Sequence, residues 1–189
     1  MCLVEITESV DSVILELAYA TADNFTGAPV YRRTICYLHE DAAVCLQRAV
    51  DLARPLGLTI KIFDAFRPAE AQWRLWNHTP DPDFLADPRR GSPHSRGAAV
   101  DLTLVDSLSG VPLDMGTPFD TFSLLSHHAN RDVSPEVQKN RFLLLGLMSA
   151  AGWDFYSREW WHYQLFNARA RYPVFSDLAL PQTRRLMEF

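Results

Sequence analysis

From Val13 to Tyr19 the strongly apolar Val13, Leu15, Leu17 and Tyr19 alternate with Ile14, Glu16 and Ala18. A period of two predicts a strand with one buried face, and Asp23-Asn24 with Gly27 predicts the turn that follows. From Glu40 to Leu56 the period lengthens, and Ala42, Cys45, Leu46, Ala49, Leu52 and Ala53 recur at helical spacing before Pro55 and Gly57 supply a stop. Leu58 to Phe63 alternates again and runs into Asp64-Ala65-Phe66-Arg67-Pro68, after which Trp73 and Trp76 return to helical spacing. Pro68 suits the first turn of that helix. Arg67 therefore belongs to a strand-to-helix junction, where two rigid elements aim a side chain that substrate can still reach.

Residues 77–93 hold Pro80, Pro82, Pro88 and Pro93 among Asp, Arg and Gly, and predict a long irregular segment of the kind that forms lids and binding loops. Ala98 to Leu104 alternates once more, and Ser109-Gly110 turns the chain back toward Val111–Met115, predicting a hairpin whose polar face includes Asp101. Ser134-Pro135 reads as an N-cap followed by proline at the first helical position, opening a helix that stops near Gly152. Trp153 to Phe166 predicts a second hairpin, turning near Ser157. Helices and strands do not alternate strictly and no internal repeat is present. The expected class is α+β: one domain over residues 1–189, mainly antiparallel sheet with flanking helices.

Composition narrows the function. With 48% hydrophobic residues, 189 residues can bury a core without disulfides. Eighteen Lys and Arg against 23 Asp and Glu give a net charge of −5 with no long basic run, so nucleic acid is not an expected partner. The cysteines, Cys2, Cys36 and Cys45, are odd in number, and Cys45 falls on the helical apolar stripe; a reducing compartment suits them. No signal-like or membrane-spanning apolar stretch is evident, and a cytoplasmic protein without a membrane partner is expected. Oligomeric state leaves no mark in the sequence.

Six histidines are available to a metal or an acid–base site. His39-Glu40 resembles the start of the helical zinc-protease motif, but Ala43 stands where its second histidine belongs. His78 falls at a helix end, and His127-His128 reads as a solvated loop. His94 is seven residues before Asp101, an odd spacing that puts the two on opposite faces of a straight strand unless Gly97 bends the chain. The pair then reads either as a surface histidine hydrogen-bonded to a strand aspartate or as two zinc ligands. Glu159 precedes His162 by three residues in a tryptophan-rich segment, which places Glu159 in the turn of the second hairpin.

Three separated motifs now match a known family in order: Asp64-Ala65-Phe66-Arg67-Pro68, the Ser-x-His-x-x-Gly-x-Ala-x-Asp pattern from Ser92 to Asp101, and Glu159-Trp160-Trp161-His162-Tyr163. Tyr19-Ala20-Thr21, Asp23-Asn24-Phe25-Thr26-Gly27, Leu113-Asp114-Met115-Gly116 and Phe119-Asp120 fit as well. The chain resembles the D-alanyl-D-alanine dipeptidases of the vancomycin-resistance type, a group of zinc peptidases with a hedgehog-like fold. The resemblance implies one Zn²⁺ held by His94, Asp101 and His162, with a fourth position left for water. It further implies Glu159 as general base, Arg67 as stabiliser of the oxyanion, and Tyr19, Ser92 and Asp120 as binders of a small dipeptide, Asp120 facing its free ammonium. Phe66, where tyrosine is frequent, and Pro93 depart from the commonest pattern and bear on fine specificity. Two rivals stand beside this expectation: a zinc D,D-carboxypeptidase acting on peptidoglycan stem peptides with the same residues, and a non-catalytic zinc-binding module, for which Glu159 and Arg67 would have no use.

Overall fold

In the computed structural model, which describes residues 3–187, the strand β5 (Ala99–Asp106) runs through the centre of the protein and is buried from Ala99 to Val105. It belongs to a five-stranded sheet with the order β2 (Val13–Leu15), β4 (Leu58–Asp64), β5, β7 (His162–Gln164) and β6 (Asp154–Phe155). The β2–β4 pairing is parallel and the other three are antiparallel. A second, two-stranded sheet pairs β1 (Leu3–Ile6) with β3 (Cys36–His39), and β3 is buried at all four positions. A strand covered on both sides need not alternate, so its pattern does not announce it.

Five α-helices surround these sheets among the described residues. They are α1 (Glu8–Asp11), α2 (Glu40–Ala53), α3 (Ala69–His78), α4 (Pro135–Ala150) and α5 (Ala168–Arg171). The imidazole of His39 caps α2 by accepting from the Asp41 N–H, and Glu40 and Asp41 place negative charge at the helix N-terminus. Leu46 and Ala49 of α2 join Leu144 and Met148 of α4 in one core with Val100, Leu102 and Leu104 of β5. Ser134 caps α4 through the Val137 N–H with Pro135 in its first turn, as its sequence predicts. Pro68 sits one position earlier than expected, as the N-cap of α3. The α+β class with a mainly antiparallel sheet holds, and no helix of the described residues is long and apolar enough to cross a membrane.

Three local expectations need correction. The strand begun at Val13 ends at Leu15; Ala18–Ala20 then coil into a 3₁₀ turn that buries Tyr19. The hairpin after Gly110 is reduced to a single bridge, Val105 to Pro112, supported by the Leu113 N–H donating to the Leu104 carbonyl. Asp101 does not lie on a solvated face, because β5 has a core on one side and the cavity described below on the other. Of the cysteines, Cys36 is buried and Cys45 half-buried, both free, and Cys2 lies outside the described residues.

The β4–β5 register decides where the site forms. Ile62 pairs with Leu102 and Asp64 pairs with Asp101, so β4 spends one residue more than β5 over this stretch and bulges at Phe63. On the other side of β5, Asp101 is opposite His162. Asp64, Asp101 and His162 thus stand in a row across three neighbouring strands.

Candidate active site and metal centre

His94 is brought to this row by the 3₁₀ turn His94–Arg96, which ends at Gly97 with φ +63°. A Cβ at Gly97 would fall 2.6 Å from Leu3 Cδ2 and 2.8 Å from the His39 nitrogen, so both the backbone conformation and the space demand glycine. The bend expected there folds His94 over the head of β5. His94 Nε2 lies 3.1 Å from His162 Nδ1 and 3.3 Å from Asp101 Oδ2, while His162 Nδ1 lies 3.1 Å from Asp101 Oδ1. All three residues are buried.

Their outward nitrogens reveal what the inward ones can do. His94 Nδ1 is 2.8 Å from the Ala65 carbonyl, which can only accept, so Nδ1 carries the proton and Nε2 presents a lone pair. His162 Nε2 is 3.2 Å from Gln164 Oε1 and donates to it, which leaves a lone pair on Nδ1. With both rings neutral, two imidazole lone pairs and a carboxylate converge with no donor among them, an arrangement suited to a cation at its centre. Ligand atoms about 2.0 Å from a tetrahedral metal stand about 3.3 Å from one another; the two imidazole nitrogens are 3.1 Å apart, each lies 3.1–3.3 Å from a different oxygen of Asp101, and one ligand atom from each residue can be chosen with all three within 4.8 Å. These residues form a buried His–Asp–His group suited to a metal ion. Ala65 and Gln164 supply the outer hydrogen bonds that fix ring orientation at metal sites.

Asp64 and Arg67 support the row from the β4 side. Asp64 accepts from Tyr31 Oη at 2.9 Å and from Arg67 Nε at 2.9 Å, and Arg67 Nη1 donates to Gln72 Oε1 at 3.0 Å. Arg67 Nη2 is 2.8 Å from Asp64 and 3.6 Å from Asp101. A guanidinium has five N–H donors, so these bonds lock the plane of Arg67 and leave a donor on each terminal nitrogen for a ligand. The two facing aspartates would repel one another without it.

A cavity of about 510 Å³ opens over the group, and Tyr19, Arg67, Ser92, Asp120 and Glu159 line it together with the three residues above. The turn between β6 and β7 carries Glu159, as expected, with Glu159 Oε2 3.9 Å from His162 Nδ1. Asp120 comes from an irregular segment, held at φ +57° and accepting from Tyr19 Oη at 2.7 Å. Ser92 Oγ accepts from the His94 N–H at 3.2 Å, tying it to a proposed ligand as well as to the cavity. The residues expected to act together are thus within one cavity. Phe66 does not reach it: its ring is packed edge-on at 6.4 Å from Phe175 in a second core, whereas Pro93 lines the cavity wall. Residues 79–93 of the long irregular segment supply much of one wall, and a further irregular stretch after Ser107 reaches the cavity through Asp120.

The charges here are short of a positive partner. Burial raises Glu159 to about 8, with Asp101 and Asp120 adding to the rise and His162 opposing it. Burial likewise raises Asp120 to about 7, against the Tyr19 hydrogen bond and the Arg67 charge. Burial would also push Asp101 up, but when the inward nitrogens of His94 and His162 are protonated their charges and hydrogen bonds outweigh it and hold that carboxyl well below the usual range, the part a metal ion would take with both rings neutral. Both raised carboxyls would return toward ionisation beside an added cation.

A comparison with known sequences gives the arrangement its context. The family described as D-ala-D-ala dipeptidase matches residues 1–179. The chain belongs to that family. A D-alanyl-D-alanine dipeptidase of Escherichia coli (strain K12) is 43% identical over 177 residues, covering 90% of this chain and 91% of the relative. One of Enterococcus faecium is 35% identical over 178 residues, covering 84% and 88%, and one of Streptomyces coelicolor is 35% identical over 181 residues, covering 85% and 89%. The chain is therefore an enzyme of a peptidase family.

Sequence reading missed the roles of Asp64, Gln72 and Gln164. Asp64 was visible within a quoted motif, and Gln164 shares the strand face of His162 by the period of two; Gln72 left no signal. Among the other histidines, His39 is a helix cap and His78 ends α3. The solvated reading of His128 is wrong: its ring is 4% exposed and lies edge-on to Phe155 at 5.4 Å and Tyr163 at 6.2 Å.

Proposed function

We propose that this chain is a zinc-dependent D,D-dipeptidase that hydrolyses the peptide bond of D-alanyl-D-alanine. The observation that carries the reading is the convergence of three buried acceptors, from His94, Asp101 and His162, in a cavity that also holds the half-buried Asp120 carboxylate. The family relationship supports the same substrate. His94, Asp101 and His162 would hold the zinc, which supplies Lewis acidity: it lowers the pKa of water toward ~7 and polarises a carbonyl.

The remaining chemistry belongs to the chain. Asp120, oriented by the Tyr19 hydroxyl, pairs with the ammonium of the first residue and so sets which peptide bond faces the metal group. Glu159 accepts the proton of the attacking water and returns it to the departing amine, a general-base and general-acid sequence that needs one carboxylate within reach of both. Arg67, its plane fixed by Asp64 and Gln72, directs its remaining donors at the oxygen on which negative charge develops. Ser92 lines the wall beside His94 and contacts the bound dipeptide there. Residues 79–93 exclude water from one side.

The test compares D-Ala-D-Ala with N-acetyl-D-Ala-D-Ala and L-Ala-L-Ala, with and without a chelator, at equal protein concentration. The expected result is turnover of D-Ala-D-Ala alone, abolished by chelation and restored by zinc. Turnover of the acetylated compound at an equal or greater rate would instead mark a carboxypeptidase, and zinc binding without any hydrolysis would mark a binding module. Glu159→Gln should retain zinc and lose on the order of 10²-fold or more in kcat; a zinc-replete variant of normal activity would remove Glu159 from the mechanism.

A further inference from the structure

Arg141 is fully buried, yet among the described residues it makes no close ion pair with a carboxylate, Asp114 acting on it only at longer range. Its hydrogen bonds go to backbone carbonyls. Nε donates to the Met115 carbonyl at 2.8 Å, Nη2 to the same oxygen at 2.5 Å, and Nη1 to the His127 carbonyl at 2.9 Å. The chain between these carbonyls contains Asp120. Two neighbours on α4 extend the grip, Asn140 Nδ2 donating to the Asp114 carbonyl at 2.9 Å and Gln138 Nε2 to the His128 carbonyl at 3.2 Å. Gly116, at φ +79°, lets the backbone lie against this face of the helix, since a Cβ there would be 2.8 Å from Val137 and 3.4 Å from Arg141.

The segment so held reaches the other side of the cavity as well. The Trp160 N–H donates to the Ser126 carbonyl at 3.0 Å, and the His128 N–H donates to the Ser157 carbonyl at 3.1 Å. Trp160 Nε1 adds a bond to Thr117 Oγ1 at 2.8 Å. Glu159 lies between the two backbone contacts. One segment, residues 114–128, thus carries Asp120 at its middle and holds the Glu159 turn near its end, and the α4 face fixes both of its ends. Burying a guanidinium without a directly paired acid is costly, and the rigid fork it provides is what joins two carbonyls twelve residues apart in sequence.

We propose that Arg141 is a positioning residue that fixes Asp120 and the Glu159 turn relative to one another, and that it thereby sets the selectivity for a peptide with a free ammonium; this rests on the dipeptidase reading above. It touches neither substrate nor the metal group. Arg141 acts through the loop it orders.

The test is Arg141→Lys, which keeps a positive charge but cannot span both carbonyls in a plane. The measurements are zinc content, KM and kcat for D-Ala-D-Ala, the efficiency ratio of D-Ala-D-Ala to its N-acetyl derivative, and hydrogen–deuterium exchange. Zinc content should be unchanged, because the ligands lie outside the held segment. KM should rise and the ratio should fall, each by about tenfold for lost hydrogen bonds to a charged group. Exchange should quicken in residues 114–128 and 156–160 while β5 and β7 keep their protection. A folded Arg141→Lys protein with unchanged KM and ratio, whatever its melting temperature, overturns the proposal. If that variant does not fold, Asn140→Ala, which removes the single bond to Asp114, decides on the same ratio: a fall of about threefold supports the proposal and no change overturns it. If the wild-type protein does not cleave D-Ala-D-Ala at all, the dipeptidase reading fails alone, and exchange decides the positioning role, with joint loosening of the two segments supporting it and its absence overturning it.

Discussion

Asp101 and His162 enter the cavity from paired strands, where hydrogen bonds on both edges of β5 set their separation, whereas Asp120 enters it from a segment with no strand pairing of its own. On the first wall the backbone ladder holds the side chains, and the exceptions to regularity, the bulge at Phe63 and the turn at Gly97, each bring one more group to the row. On the second wall the order is reversed: side chains of α4 hold the backbone by its carbonyls. The difference matches what each wall would have to do under the proposed function. Metal ligands have to stand within tenths of an ångström of fixed distances, which a sheet provides, while a residue that reads a substrate terminus needs a fixed direction on a loop that can be shaped around the ligand.

The sharpest break between the walls comes from damage to the first. His162→Ala removes one of three converging acceptors and should abolish stoichiometric zinc and cost on the order of 10³-fold or more in kcat/KM, since several kcal/mol of charge stabilisation go with the metal. Asp120 and the second wall would survive that change intact. Metal analysis after dialysis, read beside hydrogen exchange in residues 114–128, checks both halves; full zinc occupancy in the variant would exclude His162 from the ligand set.

Damage to the second wall should show the opposite signature. Asp120→Asn is the cleanest change available, because asparagine also tolerates the positive φ found there and keeps the size of the side chain. Only the charge is lost. Zinc content should remain normal, kcat/KM for D-Ala-D-Ala should fall on the order of 10²-fold as a buried ammonium loses its counter-ion, and the acetylated peptide should be affected far less. This variant also sets the ceiling for Arg141→Lys, which leaves the carboxylate in place but loosens its direction. Loss of zinc in Asp120→Asn would mean that the walls are not independent.

The two walls differ in legibility for the same physical reason. Strand and helix periods predicted β4, β5, α2 and α4 nearly to their ends, and the motifs around His94, Asp101, Glu159 and His162 carried the first wall. The row itself was hidden, because the pairing of Asp64 with Asp101 depends on a bulge and cross-strand register is a property of the folded sheet. The second wall left fainter traces. Arg141 lies four residues after Val137 and three before Leu144, on the buried stripe of α4, so its position in the pattern marked it as an internal arginine. Nothing in the sequence indicated which carbonyls it would meet. His128 misled in a simpler way: its polar neighbours suggested water, and the aromatic rings that cover it, Phe155 and Tyr163, come from a hairpin almost thirty residues further on or more.

His128 gives the smallest and most specific test, because it touches the second wall without taking part in recognition. Its ring is buried, neither ring nitrogen makes a well-formed hydrogen bond, and burial lowers its pKa to about 4, with the nearby Arg141 charge acting in the same direction and the Glu159 backbone opposing it. In the unfolded chain a histidine titrates near 6.5. Between about pH 6.5 and pH 4 the unfolded state therefore binds more protons than the folded one, and stability must fall as the pH drops through that window. The full loss approaches about 3 kcal/mol at the lower end, since each unit of difference corresponds to 1.36 kcal/mol. Above pH 6.5 the group is neutral in both states and contributes no slope. His128→Phe removes the titration and sacrifices no well-formed hydrogen bond, so the variant should come close to the wild type at pH 7.5 and gain on it steadily toward pH 4.5. Urea unfolding of the two proteins side by side at each pH measures this, and taking their difference cancels any loss of zinc common to both. Parallel stability curves across the window would show that His128 is not the buried neutral group its surroundings require, and would detach the acid sensitivity of the protein from the segment that carries Asp120.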